Sequence, residues 1–413
     1  MVNVEGGPDG RRWVVLGVGL GAIVAGCVFQ FGLPYLLPVL RADGLSLGQA
    51  GMLVACPTAG LMVALIAWGA AADRWGERLV LSLGLGVAGL ALLAAAAVAG
   101  RPLALGACLV AAGAGGASVH AASGRLILGW FGARERGLAM GIRQTAQPLG
   151  IGVAALALPP LAVGGLAAPL LASALFCLVM AAAVALFVRD PRRTAQESAQ
   201  GAGSPYATPV LWRLHAASAL LVVPQFTVAT FALVFLIDEH GWDAATAGRV
   251  LAAVQVGGAL ARIGAGVWSD RAGSRLRPFR LVAAAIAVVM AALAAGALTG
   301  SGVAVAVLLV AGVITVSPNG LAYTAVAEYA GRAWAGRALG TQNTAQNALA
   351  MATPPLVGMV VGGPGYGAAF AIAVAFSLAA VPLVPVRGEG RTVTARTDRG
   401  RRTRLRRTAS PRP

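Results

Sequence analysis

The stretch GAAADRWGER, Gly69 to Arg78, sets four charged residues within ten positions of an otherwise apolar chain. Much of it returns as GVWSDRAGSR, Gly266 to Arg275. Asp73 and Asp270 stand 197 positions apart, close to half of the 413 residues. Two more pairs keep nearly that period. GIRQTAQ, Gly141 to Gln147, matches GTQNTAQ, Gly340 to Gln346, and DGLSLGQAG, Asp43 to Gly51, matches HGWDAATAG, His240 to Gly248. Three matches at one spacing indicate an internal duplication.

The residues around these pairs say what was duplicated. The chain is 58% hydrophobic and only 11% charged, too few charges to cover a water-soluble surface. Apolar runs of roughly 20 to 25 residues recur, each long enough to cross a bilayer as a helix. No sustained alternation of apolar and polar residues points to a membrane β-barrel. The expected fold is an all-α membrane protein with twelve spans, near 13–37, 47–72, 79–99, 103–128, 138–162, 166–188, 213–237, 245–268, 279–299, 302–327, 337–361 and 366–386. RRWVVLGVGLGAIVAGC, ending at Cys27, has the look of a secretion signal, but the apolar run continues past Cys27 and reads as the first span.

Arginine concentrates in alternate loops, at Arg74, Arg78, Arg134, Arg136, Arg189, Arg192, Arg193, Arg271, Arg275, Arg277, Arg280, Arg332 and Arg337. The other loops hold little beyond Arg41 and Arg101. The positive-inside rule then places both termini and both motif turns in the cytoplasm of a multi-pass inner-membrane protein. Much of the net charge of +17 has this topological role. The tail from Arg387 carries ten arginines against Glu389 and Asp398. It reads as a disordered end attracted to anionic lipid rather than a nucleic-acid binder. The domain reading is a six-helix bundle over 1–188, a polar cytoplasmic linker over 189–210, a second six-helix bundle over 211–387, and the basic tail over 388–413. Cys27, Cys56, Cys108 and Cys177 lie apart in apolar spans. They suggest small core residues, with no metal spacing and no cofactor.

With two parallel six-span halves, a central linker and G-x-x-x-D-R-x-G-x-R after the second span, the chain resembles the major facilitator superfamily. The motif is carried by Gly69, Asp73, Arg74, Gly76 and Arg78, and again by Gly266, Asp270, Arg271, Gly273 and Arg275. The resemblance implies two pseudo-symmetric bundles that rock about a central site, with these turns gating the cytoplasmic side. GRLILGWFGARERGLAMGIRQTAQPLG, Gly124 to Gly150, and SPNGLAYTAVAE, Ser317 to Glu328, are similar to bacterial carriers of small organic anions of the cyanate and anion:cation symporter kinds.

Ionisable residues inside spans are costly and therefore mark candidate sites. Arg262 is eight residues before Asp270, about 12 Å deep at 1.5 Å per residue, with no acid within four positions and Gln255 on the same face. It is expected to look into a cavity and bind a carboxylate, and its alternative is a bond to a neighbouring helix carbonyl. Arg143, with Gln144 and Gln147 beside it and Pro148 to bend the helix, suits a cavity wall; Gln342, Asn343 and Gln346 answer it in the second half. Arg125 is read as reaching the headgroups. Glu328 either pairs locally with Arg332 or couples protons; His120 is either a neutral hydrogen-bonded histidine or a proton relay. The resemblance implies a path lined by the first, fourth, seventh and tenth spans. That adds Gln30, Tyr35, Gln225, Thr227, Thr230, Asn319 and Tyr323 as candidates.

No zinc pair, nucleophile–base pair or P-loop appears, so an enzyme or a nucleotide-driven pump is not indicated. The expected protein is a monomeric secondary transporter whose partners are a small organic anion, a proton and membrane lipid. A drug:proton antiporter is the alternative. It fits less well, because Gln147 stands where that group usually has glycine before Pro148, and because the embedded charges are positive.

Overall fold

A computed structural model of the chain describes residues 9–45, 47–190, 204–331 and 333–386. Most of the expected linker, including Arg192 and Arg193, lies outside the described residues, as do Arg332 and the basic tail. The chain is helical throughout the membrane-spanning parts. In the first half the helices are α1 (Asp9–Gly32), α2 (Leu47–Trp75), α3 (Glu77–Ala97), α4 (Pro102–Trp130), α5 in two pieces (Arg136–Gln144 and Ala146–Leu161) and α6 (Ala167–Phe187). In the second half they are α7 (Pro209–Asp238), α8 (Ala244–Ala272), α9 (Leu276–Leu298), α10 in two pieces (Val303–Ile314 and Pro318–Ala330), α11 (Ala335–Val361) and α12 (Tyr366–Leu383).

Eleven of these are apolar and long enough to cross a membrane. The twelfth, α11, has 27 residues and reaches about 40 Å, but Thr341, Gln342, Asn343, Gln346 and Asn347 make its first half polar. A polar face on a membrane helix must be covered by protein or by a water-filled space. Here it is turned inward, with Gln342, Asn343 and Gln346 buried.

Each half packs as its own bundle. In the first, α4 lies against α2 and α3, while α6 packs on α3 and α1 packs on α5. In the second, α12 lies against α9 and α7, and α11 packs on α7. One apolar core is built wholly from first-half residues, among them Phe29, Leu81, Leu85 and Leu109. A second centres on Phe235, Phe279, Ile286 and Phe370 and takes in Ile127, Phe131, Ala139 and Met140 from the first half.

The halves meet through α2 with α11, α8 with the first piece of α5, and α4 with α11 and the second piece of α10. These contacts gather at the end that carries the two motif turns, called here the turn end. The opposite pieces of α5 and α10 pack chiefly within their own halves. The molecule is therefore closed at the turn end and parted toward the far end.

Candidate functional site: a gated central cavity

Closure at the turn end is backbone against backbone. A Cβ at Gly69 would sit 2.3 Å from the Gly336 carbonyl oxygen, and one at Gly336 would sit 2.3 Å from that of Gly69. The duplicated pair repeats this: a Cβ at Gly137 would meet the Gly266 oxygen at 2.3 Å, and one at Gly266 would meet that of Gly137 at 2.1 Å. Only glycine permits helices to approach so closely.

Beside each glycine pair an aspartate caps the helix of the opposite half. The backbone N–H groups of Gly336 and Arg337, at the start of α11, donate to Asp73 at 2.8 and 3.0 Å. Those of Gly137 and Leu138, at the start of α5, donate to Asp270 at 2.9 and 2.8 Å. A helix begins with unsatisfied N–H groups and a positive dipole end, so a carboxylate there is favoured twice over.

The charges behind the two aspartates are swapped between the halves. On the first side the cation comes from α4: Arg125 donates to Asp73 at 2.9 Å and pairs with Glu77 at 2.6 Å. On the second side the cation comes from the turn and the acid from α10. Arg275 pairs with Asp270 at 2.5 Å and with Glu328 at 3.3 Å, and it reaches across to the Ala133 carbonyl. Burial disfavours the charge on Arg275, but Glu328 and Asp270 outweigh it and hold the guanidinium above its ordinary value.

One sequence expectation is corrected here. Arg125 does not reach the headgroups but is buried between two carboxylates. For Glu328 the expected local partner, Arg332, lies outside the described residues; among those described, Glu328 pairs with Arg275, and with Arg136 of the first half at 3.6 Å. In the motif turns, Arg74, Arg78 and Arg271 are exposed. Gly76 takes a φ of +92° and Gly273 one of +59°, the left-handed region that glycine tolerates. Asp190, just beyond α6, accepts from the N–H groups of Glu77 and Arg78, both at 2.8 Å, and so ties the turn to its own half.

Between the halves lies a cavity of about 80 Å³. The first half lines it with Ile23, Gln30, Phe31, Leu61, His120, Arg143, Gln144 and Gln147. The second lines it with Val222, Gln225, Phe226, Asn319, Tyr323, Asn343, Gln346, Asn347 and Ala350. The lining thus holds eight side-chain amides and one arginine, with no carboxylate. Arg143 donates to Ser123 Oγ at 2.8 Å, to Gln144 Oε1 at 2.5 Å and to the His120 carbonyl at 3.1 Å. Its guanidinium lies 5.3 Å from the centre of the Tyr323 ring. The Tyr323 hydroxyl is 2.5 Å from Asn343 Oδ1 and 2.8 Å from Gln346, and Asn319 donates to Gln225 at 3.1 Å. Gln30 Nε2, His120 Nε2 and Gln346 Nε2 have no hydrogen-bond partner among the described residues.

Two helical bundles around a polar cavity have clear relatives. The sequence profile of the Major Facilitator Superfamily matches residues 18–354. The chain belongs to the major facilitator superfamily. An uncharacterized MFS-type transporter of Mycobacterium tuberculosis is 46% identical over 382 residues, covering 92% of this chain and 86% of the relative. Solved members of the superfamily share the fold. The human organic anion transporter TETRAN superposes with a TM-score of 0.71 at 17% identity, covering 92% of this chain and all of that one. The Escherichia coli fucose:proton symporter gives a TM-score of 0.69 at 13% identity over 90% of this chain and 99% of its own. As a member of this superfamily the protein is a transporter, not an enzyme.

Within this superfamily fold the candidate residues divide. Gln30, His120, Arg143, Gln147, Gln225, Asn319, Tyr323 and Gln346 converge on the cavity. Arg262, Gln255 and Tyr35 are not among its lining residues: Gln255 and Tyr35 are exposed, and Arg262 is buried on backbone carbonyls. Thr227 is buried with its hydroxyl unpartnered among the described residues, and Thr230 is exposed. Glu328 lies in the turn-end ion network rather than the cavity. Sequence reasoning passed over Asn347, although it follows Asn343 by one helical turn. It also passed over Glu77, Asp190 and a buried His215, which lies between Gln342 Oε1 (2.6 Å) and the Tyr206 hydroxyl (3.0 Å).

Proposed function

We propose that the protein is a secondary active transporter of a small organic anion, coupled to protons and working as a monomer by alternating access. The observation that carries this reading is Arg143. It is buried and lines the cavity. Three of its five donors are used, all on neutral acceptors, and no carboxylate is within ion-pair distance among the described residues. A guanidinium held out of water in this way calls for an anionic partner, and its planar fork suits a carboxylate. The surrounding amides suit a polar body on that anion. The stretch Gly124–Gly150, which resembles anion carriers, contributes His120's neighbour Arg143 and supports the same reading.

Arginine-rich loops support a cytoplasmic turn end, so the closed state described here is outward-facing. His120, with its unpartnered Nε2 in the cavity wall, is the group assigned to proton coupling. Glu328, already engaged by two arginines, is assigned to closure.

The test is binding by purified protein in nanodiscs, with a panel of small carboxylates set against lipophilic cations. A carboxylate should bind, and Arg143→Ala should remove that binding by about 2–5 kcal/mol, the cost of truncating one member of a buried charge pair. Arg143→Lys should rescue it poorly, because an ammonium cannot reproduce the fork. Binding of the cations alone, unaffected by Arg143→Ala, would overturn the anion reading in favour of a drug antiporter.

A further inference from the structure

Arg262 sits where two helices are interrupted. α5 breaks at Thr145, between its two pieces. Pro148 has no N–H, and in a continuous helix that N–H would bond the carbonyl four residues earlier, which is Gln144's. The released Gln144 carbonyl accepts from Arg262 Nη1 at 2.5 Å. α10 breaks between Ile314 and Pro318. There the Val316 carbonyl accepts from Arg262 Nε at 3.2 Å. These are good partners for a buried guanidinium, and they belong to opposite halves. Val316 shares Arg262's own half, so that bond travels with it. Gln144 belongs to the first half, so the second bond crosses the seam.

The duplication shows that this arrangement is not a by-product of the fold. At the position on α2 that matches Arg262 the residue is Leu65, and at the position on α11 that matches Pro148 it is Asn347. α11 runs unbroken from Ala335 to Val361. The proline, the freed carbonyl and the arginine occur together at one seam, and none occurs at the other. Packing at this seam is tight: a Cβ at Gly141 would lie 2.8 Å from the Arg262 carbonyl oxygen.

We infer that Arg262 is a positioning residue for transport, a clasp whose bond to the Gln144 carbonyl holds the turn side of the cavity shut and must break in every cycle. Gln144 joins the clasp to the site. Its side-chain oxygen accepts from Arg143, while its carbonyl accepts from Arg262. A ligand that draws Arg143 toward itself pulls on the residue that the clasp holds. Pro148 is part of the device, because a residue without an N–H leaves the Gln144 carbonyl with no competing bond inside α5, fully open to a partner in the other half.

The experiment needs no substrate. Ala139 is fully buried in the cluster that joins α5 to the second half. In a background lacking the native cysteines, alkylation of an Ala139→Cys thiol by N-ethylmaleimide reports opening of the turn end, and thermal unfolding reports stability. Arg262→Ala should raise the alkylation rate at least tenfold and lower the unfolding temperature. Adding Pro148→Ala restores an N–H for the Gln144 carbonyl inside α5. The double variant should therefore regain stability while the thiol stays reactive, since the restored bond lies within one half. Arg262→Lys should close the turn end only in part, because one ammonium does not span both carbonyls. If the double variant regains stability and protection together, Arg262 merely repairs a helix break and the inference fails. It also fails if the thiol is as protected in Arg262→Ala as in the parent. Should the single alanine variant not fold, the double and lysine variants decide, and full protection in both overturns the clasp.

Discussion

Replacing Asp73 by asparagine keeps the size of the side chain and removes one charge. Only some of its contacts cross between the halves. The pair with Arg125 lies within the first half. The bonds from Gly336 and Arg337, and the 3.6 Å pair with Arg337, cross the seam. Asparagine keeps one acceptor oxygen and turns an amide donor toward the other N–H. One charged hydrogen bond is lost, worth about 1.5–3 kcal/mol. The interaction with the positive start of α11 goes too, a further 0.3–1 kcal/mol or so. The closed state should therefore weaken by roughly 2–4 kcal/mol, a shift between about 30-fold and about 900-fold at 1.36 kcal/mol per decade. Spin labels at Trp75→Cys and Arg277→Cys, exposed positions in opposite halves at the turn end, measure the opening as a longer distance population. Asp190→Asn is the control. Asp190 also caps a helix with two 2.8 Å bonds, but both go to its own half, so it should cost stability without moving the distance distribution. If Asp73→Asn leaves the distribution at its parental position, or if Asp190→Asn shifts it equally, a cross-seam aspartate cap is not what keeps the turn end shut.

Gly336→Val places carbon 2.3 Å from the Gly69 carbonyl oxygen, so the labelled pair should report a turn end that cannot close; a parental closed population would contradict the backbone contact. Glu328→Gln should weaken closure by less than tenfold, because its cross-seam pair with Arg136 is 3.6 Å long and partly exposed; the same labels read this. Single cysteines at Trp75 and Ala272, both exposed at the turn end, should resist an impermeant thiol reagent outside intact cells, and ready labelling would reverse the proposed orientation.

Much of this arrangement was legible in the chain. The repeat of Gly69–Arg78 at Gly266–Arg275 reported two equivalent halves, and Gly69, Asp73, Gly266 and Asp270 within it are the residues that meet the opposite half across the seam. Long apolar runs reported the spans because burial in lipid leaves a helix no polar alternative. Even α11, with its many amides, was readable as a span through its match to the first half. Polar residues such as Gln30, Gln225, Asn319 and Tyr323 were likewise visible as interruptions in apolar stretches, and the fold brings them to one cavity.

Direction and partner were decided only in three dimensions. Arg143 and Arg262 look alike in sequence, since each is a deep arginine without a local acid. Spacing along a helix reports depth, while the way a side chain turns depends on which helix is packed beside it. Packing turned Arg143 into the cavity and Arg262 onto two carbonyls, 118 and 54 residues away in the chain. It buried Arg125 between Asp73 and Glu77 and left Gln255 and Tyr35 exposed. A backbone carbonyl is present at every residue, so its role as a partner carries no signature in the sequence. A helix break leaves it wholly free, and it is used only if tertiary packing brings a donor within reach.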